Sequence, residues 1–406
     1  MNNLILEVRR MADKKRLVLA CAHTGGAVNG IGPVARLLRQ QGHSVAVYLQ
    51  KGQSADESYR SGGKVKDVFG ELDVYGRNFL GAEELRHGNC DAVICSMSPV
   101  TGFNILNLEI SALNCGLILK IPVFGVSDFP GSCNNTNDWR EFSNKLTTLF
   151  SPMPEPSFPG KCIVSGWGAL EKWRNKDVCA MAHAARRKLG THNNPVLYVS
   201  FSPERESPLA LEHLAVVIER AKIRGIYVVV NRHGREKTIP IDGNARRYQR
   251  TLELLAESNA VIDHSPEFGD LSLENDYAVA NRFRPKEFLS YQEALALTFG
   301  NGLMLSFFST DALIAPYLAS QEILSACWLD PVFGGAVLRR EKKIEALDFP
   351  YVYRPTNDDH LVGCIRAALC QPNQRLEQLS LLTQNYPFPE KPASQIIVDE
   401  ILRQLG

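Results

Sequence analysis

Residues 16–50 impose a strict order on the chain: an apolar run, a glycine-rich break, an amphipathic stretch and a second apolar run. Arg16-Leu-Val-Leu-Ala-Cys21 stops at Ala22-His23-Thr24-Gly25-Gly26, with Gly30, Gly32 and Pro33 close behind. Val34 to Gly42 then places apolar residues at helical spacing, and His43-Ser-Val-Ala-Val-Tyr-Leu49 reads as another strand. A strand buried on both faces needs an apolar run without alternation. The order therefore predicts a βαβ unit whose first turn presents a helix N-terminus to a ligand.

The same grammar continues. Asp91 to Pro99 is a buried strand with a small polar tip, Asn104 to Asn114 has mixed helical spacing, and Ile121 to Phe129 is a further strand. Alternating strands and helices predict a parallel sheet covered by helices. Ligands gather at the C-terminal strand ends of such sheets, where Ser96, Ser98, Ser127 and Asp128 fall. Lys51 to Gly81 reads as an exposed excursion. Four prolines between Pro152 and Pro159, followed by Lys161 to Gly168, suggest a crossing between domains.

From Glu171 a helix is expected to run to Leu189, with Arg186, Arg187 and Lys188 in its last turn, suiting the helix dipole. Strands then recur at Pro195–Phe201, Gly225–Val230, Val261–His264, Leu303–Phe308 and Ala326–Leu329, with helices at Leu209–Arg224, Phe288–Thr298 and Ala312–Ala319. Closing helices are expected at Asp359–Cys370 and Ser394–Leu405. The resulting architecture is α/β, with two Rossmann-like domains whose parallel sheets face a central cleft. The expected boundaries are 1–165, 166–385, and a C-terminal helix at 386–406 packing back on the first domain.

A length of 406 residues suffices for two cores. A formal net charge of +1 argues against nucleic acid as a partner. The ten cysteines form no CxxC pair and no zinc spacing, which fits buried free thiols in a reducing compartment. No signal-peptide core opens the chain, and no run reaches the roughly 20 apolar residues of a membrane span. The expectation is a cytoplasmic protein, with peripheral membrane contact left open and oligomeric state undetermined.

Three segments hold candidate chemistry. Ser309-Thr310-Asp311 follows an apolar strand and precedes an apolar helix, so hydroxyls and free amides could cradle a phosphate. Arg232-His233-Gly234-Arg235 follows another strand, and the arginine fork matches phosphate geometry. Ser202 opens a third strand-end loop, with Glu204 and Arg205 behind it. In the first half, His23 has the pKa of a general base, and Asp128 could orient it or replace it. Thr24, Gly25, Gly26 and Ser98 would line the acceptor side. GxGxxG, GxxxxGK[ST], GxSxG and HExxH are all absent.

This layout resembles the GT-B superfamily of nucleotide-sugar glycosyltransferases over nearly the whole chain. Ala22-His23-Thr24-Gly25-Gly26 looks like their glycine-rich first loop. Ala185 to Gly190, followed by a strand, looks like their approach to the second domain. Phe308 to Leu313 is similar to their donor-phosphate segment. Arg232-His233-Gly234 resembles the His-Pro segment of the sialyltransferase-like and capsule-enzyme branches, with glycine in place of proline. The resemblance implies a metal-independent transfer from a nucleotide sugar, such as a UDP-sugar, to a hydroxyl of a small molecule or glycan.

On that reading no cofactor is tightly bound. His23 and Asp128 would be catalytic, and Ser202, Arg232, His233, Arg235, Ser309, Thr310 and Asp311 would hold the donor. Two alternatives accompany it. One is a UDP-sugar 2-epimerase or hydrolase, although the Arg-Pro-Glu of that first loop is missing. The other is a degenerate binding module, since Glu322 is the only carboxylate between the phosphate segment and Asp330.

Overall fold

The structure is a computed structural model. It describes residues 14–21, 26–50, 72, 74–97, 108–127, 144–155, 158–174, 176–191, 194–201, 207–231, 244–264, 280–283, 285, 287–298, 302–307, 327–329, 357–370 and 390–406. The chain divides into two compact units, one of residues 1–174 with 389–406 and the other of residues 175–388.

The first unit runs β1 (Arg16–Cys21), α1 (Gly26–Gln40), β2 (Ser44–Gln50), β3 (Val74–Arg77), α2 (Ala82–His87), β4 (Ala92–Met97), α3 (Leu108–Leu119), β5 (Val123–Ser127), β6 (Thr148–Ser151) and β7 (Cys162–Val164). The seven strands form one sheet in the order β3-β2-β1-β4-β5-β6-β7, and every pairing is parallel. Successive side chains point to opposite faces. Leu17, Leu19 and Cys21 meet Ile31, Val34 and Leu38 of α1 on one face, together with Ile397, Val398 and Ile401 from the end of the chain. Val18 and Ala20 join Val93, Cys95 and Met97 against Leu108, Ala112 and Leu113 of α3 on the other.

Two expectations change here. The first helix begins at Gly26 rather than Val34 and contains Pro33. Its glycines provide a thin surface: a Cβ on Gly168 would stand 3.0 Å from the Cα of Gly30, so α1 and the 3-10 turn Gly168–Trp173 meet backbone to backbone. The proline-dense stretch lies between β6 and β7, two strands of one sheet, and the chain passes to the second unit only after Arg174.

The second unit runs α4 (Val178–Leu189), β8 (Val196–Phe201), α5 (Ser207–Arg220), β9 (Tyr227–Asn231), α6 (Asn244–Ala256), β10 (Ala260–Asp263), α7 (Tyr291–Ala296), β11 (Gly302–Phe307), β12 (Cys327–Leu329) and α8 (Asp358–Cys370). Its five strands are also all parallel, in the order β10-β9-β8-β11-β12. Leu197 and Val199 pack with Leu211, Leu214 and Ile218 of α5 and with Leu252 of α6.

The helix expected from Glu171 is interrupted: the Gly168–Trp173 turn ends at Arg174, and α4 starts afresh with the Asp177 carboxylate accepting from the Ala180 amide at 2.8 Å. Gly190 ends α4 at φ 68°, a left-handed position that suits glycine. Arg186 turns inward instead of facing solvent, and donates to the carbonyls of Asn194 at 2.8 Å and Leu297 at 3.4 Å. The helix expected at Ala312–Ala319 lies outside the described residues.

The last element, α9 (Ala393–Leu405), belongs to the first unit. Glu400 bridges Lys161 at 2.5 Å and Arg403 at 2.6 Å, Gln404 donates to Thr148 at 2.9 Å, and Glu171 accepts from the Ser394 amide and, at 2.9 Å, from its hydroxyl. Among the described residues, no helix is long and apolar enough to cross a membrane, and the cysteines are free thiols, with Cys21, Cys95, Cys115 and Cys364 buried.

Candidate functional site

Both sheets reverse direction in their strand order beside their first strand, and such reversal points receive ligands beyond the C-terminal strand ends. In the first sheet β1 lies between β2 and β4. Ala20 pairs with Cys95 and Met97 with Ser127, so β1, β4 and β5 end at one edge. In the second sheet β8 lies between β9 and β11. Phe201 pairs with Phe307 and Ser200 with Asn231, so β8, β9 and β11 also end together.

The segments singled out in the sequence begin where these strands stop. His23, Thr24 and Gly25 follow β1, Ser98 follows β4 and Asp128 follows β5. Ser202 follows β8, Arg232, His233 and Arg235 follow β9, and Ser309, Thr310 and Asp311 follow β11. All of these residues lie outside the described ones; Gly26 is the first residue of α1.

What the structure does describe is the layer beneath the first edge. Strands β4, β5 and β6 carry Ser96, Ser127 and Ser151 at or next to their ends, Ser165 follows β7, and all four are buried. The Ser165 amide donates to the Ser151 carbonyl at 2.9 Å. Two buried carboxylates complete the layer. The Ser151 hydroxyl donates to Glu155 at 2.9 Å, and the Ser96 hydroxyl donates to Glu109 in the first turn of α3.

Further bonds fix α3. The Leu108 amide donates to Gln50 at the end of β2 at 3.3 Å, and the Cys95 thiol donates to the Glu109 carbonyl at 3.5 Å. Ser111 accepts from the Leu80 amide at 3.1 Å and donates to the Leu108 carbonyl at 2.8 Å. Burial first, then the charges of Glu109, Cys21 and Cys115, push the Cys95 thiol well above the usual range, so it is an inert core group.

Neither buried carboxylate was read as functional from the sequence, although Glu109 is conspicuous as the one acid between Ile105 and Val126. In the second unit, β10 ends in buried Asp263, and His264 is likewise buried. The His264 amide donates to the Val230 carbonyl at 2.8 Å, and its Nε2 lies 2.9 Å from the Leu289 carbonyl and 3.0 Å from the Leu289 amide. That histidine ties the approach to α7 onto the sheet. Among the described residues, no group of three His, Cys, Asp or Glu side chains is placed to hold a metal ion.

No protein-family model matches the chain, and no curated protein matches its sequence. Its fold has solved counterparts. The UDP-GlcNAc 2-epimerase of Neisseria meningitidis, bound to UDP-GlcNAc, matches over 96% of this chain and 100% of its own, with a TM-score of 0.60 and 15% identity. The UDP-GlcNAc 2-epimerase of Methanocaldococcus jannaschii, in complex with UDP-GlcNAc and UDP, matches over 96% and 99%, with a TM-score of 0.53 and 14% identity. MurG of Acinetobacter baumannii matches over 96% and 99%, with a TM-score of 0.53 and 12% identity. The chain has the GT-B fold, with two Rossmann-like α/β domains on parallel sheets. At these identities the likeness is one of fold, and it does not reach to the sialyltransferase-like or capsule-enzyme branches.

Proposed function

We propose that this protein is an enzyme acting on a nucleotide sugar, with the nucleotide held by the second unit and the reacting hydroxyl presented by the first. The observation that carries this reading is the shared exit of β8, β9 and β11 at one sheet edge. It brings together the starts of three segments bearing Ser202, Arg232, His233, Arg235, Ser309, Thr310 and Asp311. Arginine forks, hydroxyls and helix amides are the groups that bind a diphosphate and take up its charge as it leaves. The solved structures of like fold include enzymes bound to UDP-GlcNAc and UDP.

In the transfer, the acceptor oxygen attacks the anomeric carbon and the bond from that carbon to the phosphate oxygen breaks. The acceptor proton passes to His23 or Asp128, and the nucleoside diphosphate departs against Arg232 and Arg235. Thr24, Gly25, Gly26 and Ser98 border the acceptor. The arginines and amides carry the role that a metal would otherwise fill. A second reading, donor turnover without an acceptor by epimerisation or hydrolysis, is supported by the 2-epimerases among the matched structures.

Calorimetric titration with UDP, UDP-GlcNAc and other sugar nucleotides tests the shared part of both readings. Binding is expected in the wild type, and the double substitution Ser309→Ala/Thr310→Ala should weaken it by about tenfold or more. No binding, or equal binding in the variant, overturns this site. NMR of UDP-GlcNAc with the enzyme alone then separates the two: conversion without acceptor selects the epimerase or hydrolase.

A further inference from the structure

We infer that Glu109 is a positioning residue for the reaction, setting the end of β4 and the start of α3 beneath the acceptor side; this rests on the reading proposed above. Glu109 is fully buried, and burying a carboxylate is unfavourable unless it is held by hydrogen bonds. Its helix, Leu-Glu-Ile-Ser-Ala-Leu-Asn-Cys-Gly-Leu-Ile-Leu, is otherwise apolar or small apart from Ser111 and Asn114. The rest of that face is a hydrophobic core of Val93, Cys95, Met97, Leu108, Ala112 and Leu113. A leucine here would satisfy the pattern. Departures from local pattern that a fold tolerates concentrate at functional sites.

The placement gives the departure a use. Glu109 sits in the first turn of α3, where the helix dipole favours negative charge. Its carboxylate accepts a hydrogen bond from the hydroxyl of Ser96, one residue before β4 ends, at the reversal point of the sheet. The pair therefore ties the end of β4 to the first turn of α3 at the C-terminal edge of the sheet. Gln50, at the end of β2, holds the same helix start through Leu108. A carboxylate that joins a strand end to a helix start fixes their separation more tightly than an apolar contact, because hydrogen bonds are directional. Misplacing acceptor-side groups by an ångström costs rate far more than it costs affinity for a nucleotide held elsewhere.

Three variants test the proposal: Glu109→Gln, which keeps an acceptor for Ser96, Glu109→Leu, and Ser96→Ala/Glu109→Leu, which removes both partners. Release of UDP from UDP-GlcNAc, UDP affinity and amide exchange are measured on the full chain, with thermal melting as the folding control. The expected result for the two leucine variants is a kcat at least about tenfold lower, with UDP affinity within about twofold. Exchange in residues 92–97 and 108–119 should be at least about fivefold faster. Glu109→Gln should recover part of the rate. A kcat within about twofold of wild type in a folded leucine variant, or unaltered exchange in 92–97 and 108–119, overturns the proposal. If the wild type neither binds nor turns over a sugar nucleotide, the functional reading fails on that result. The exchange measurement alone then decides the positioning role.

Discussion

The two sheets share a topology and differ in what their C-terminal edges are made of. The first edge is floored by buried Ser96, Ser127, Ser151 and Ser165 and two buried glutamates. The segments leaving β1 and β4, residues 22–25 and 98–107, contain no lysine or arginine. The second edge passes directly into Arg232, His233 and Arg235 after β9. Parallel sheets of this kind supply a rigid edge, and the loops supply the chemistry. On the function proposed above, a nucleotide diphosphate would be taken by the cationic segment that follows β9. The two units also close differently. The first unit draws part of its core from the end of the chain, through Ile397, Val398 and Ile401.

The largest expected effect bears on that closure. Ile397→Ala/Ile401→Ala removes two fully buried side chains beside Leu17, Leu19 and Phe124. Each substitution should cost about 2–5 kcal/mol, a sum comparable with the whole stability of a domain. Amide exchange should rise across residues 16–50 and 92–127 while residues 196–230 keep their protection. Equal loss in both regions would break the distinction between the units. Next in size is Arg232→Ala/Arg235→Ala. If the cationic side takes the diphosphate, UDP affinity falls by about 10- to 100-fold, or roughly 1.4–2.7 kcal/mol, as charge-assisted bonds are lost. Asp128→Asn should leave UDP affinity within about twofold and lower turnover about 100-fold or more. Titration calorimetry and UDP release read the two. Reversal of the pattern would exchange the roles of the units.

Much of this frame can be read from residue order. Leu17 to Cys21, Ala92 to Met97 and Val196 to Phe201 are apolar runs broken only by Ser96 and Ser200, because parallel strands are covered on both faces. The start of α1 was hidden because Gly26, Gly30, Gly32 and Pro33 spell a loop locally, whereas the close approach of Gly168 is a tertiary fact. Helix α6 is hard to read from the sequence because, among its described side chains, Tyr248, Leu252 and Leu255 are the only large buried ones in a strongly polar segment. Strand β6 has only four residues before the prolines that begin at Pro152, and it is a strand because β5 and β7 lie on either side of it. Of the candidate site, the strand-end positions were legible as sequence. The buried pairs Ser96–Glu109 and Ser151–Glu155 were not, because no periodicity reveals which hydroxyl a carboxylate will meet.

The smallest expected effect lies at the opposite edge of the first sheet and sharpens the contrast with Glu109. His43 is buried just before β2, and its Nδ1 accepts from the Lys15 amide at 3.1 Å, which requires a neutral ring. Burial first, and the positive charge of Lys15 second, hold its pKa below the ordinary value of 6.5. The unfolded chain therefore binds this proton more readily than the folded one, so stability rises with pH across the interval between the two values. The contribution is present in full above about 6.5 and is lost as pH falls through the folded value. Thermal melting as a function of pH should show this slope in the wild type and a flatter one in His43→Gln. Release of UDP at a fixed pH above that interval should be the same in both. Glu109→Leu should behave in the converse way, slowing turnover while leaving the slope due to His43 in place. A His43→Gln variant that lost turnover with an unchanged melting profile would mean that the N-terminal edge of the sheet also serves the site, and the contrast between edges would fall.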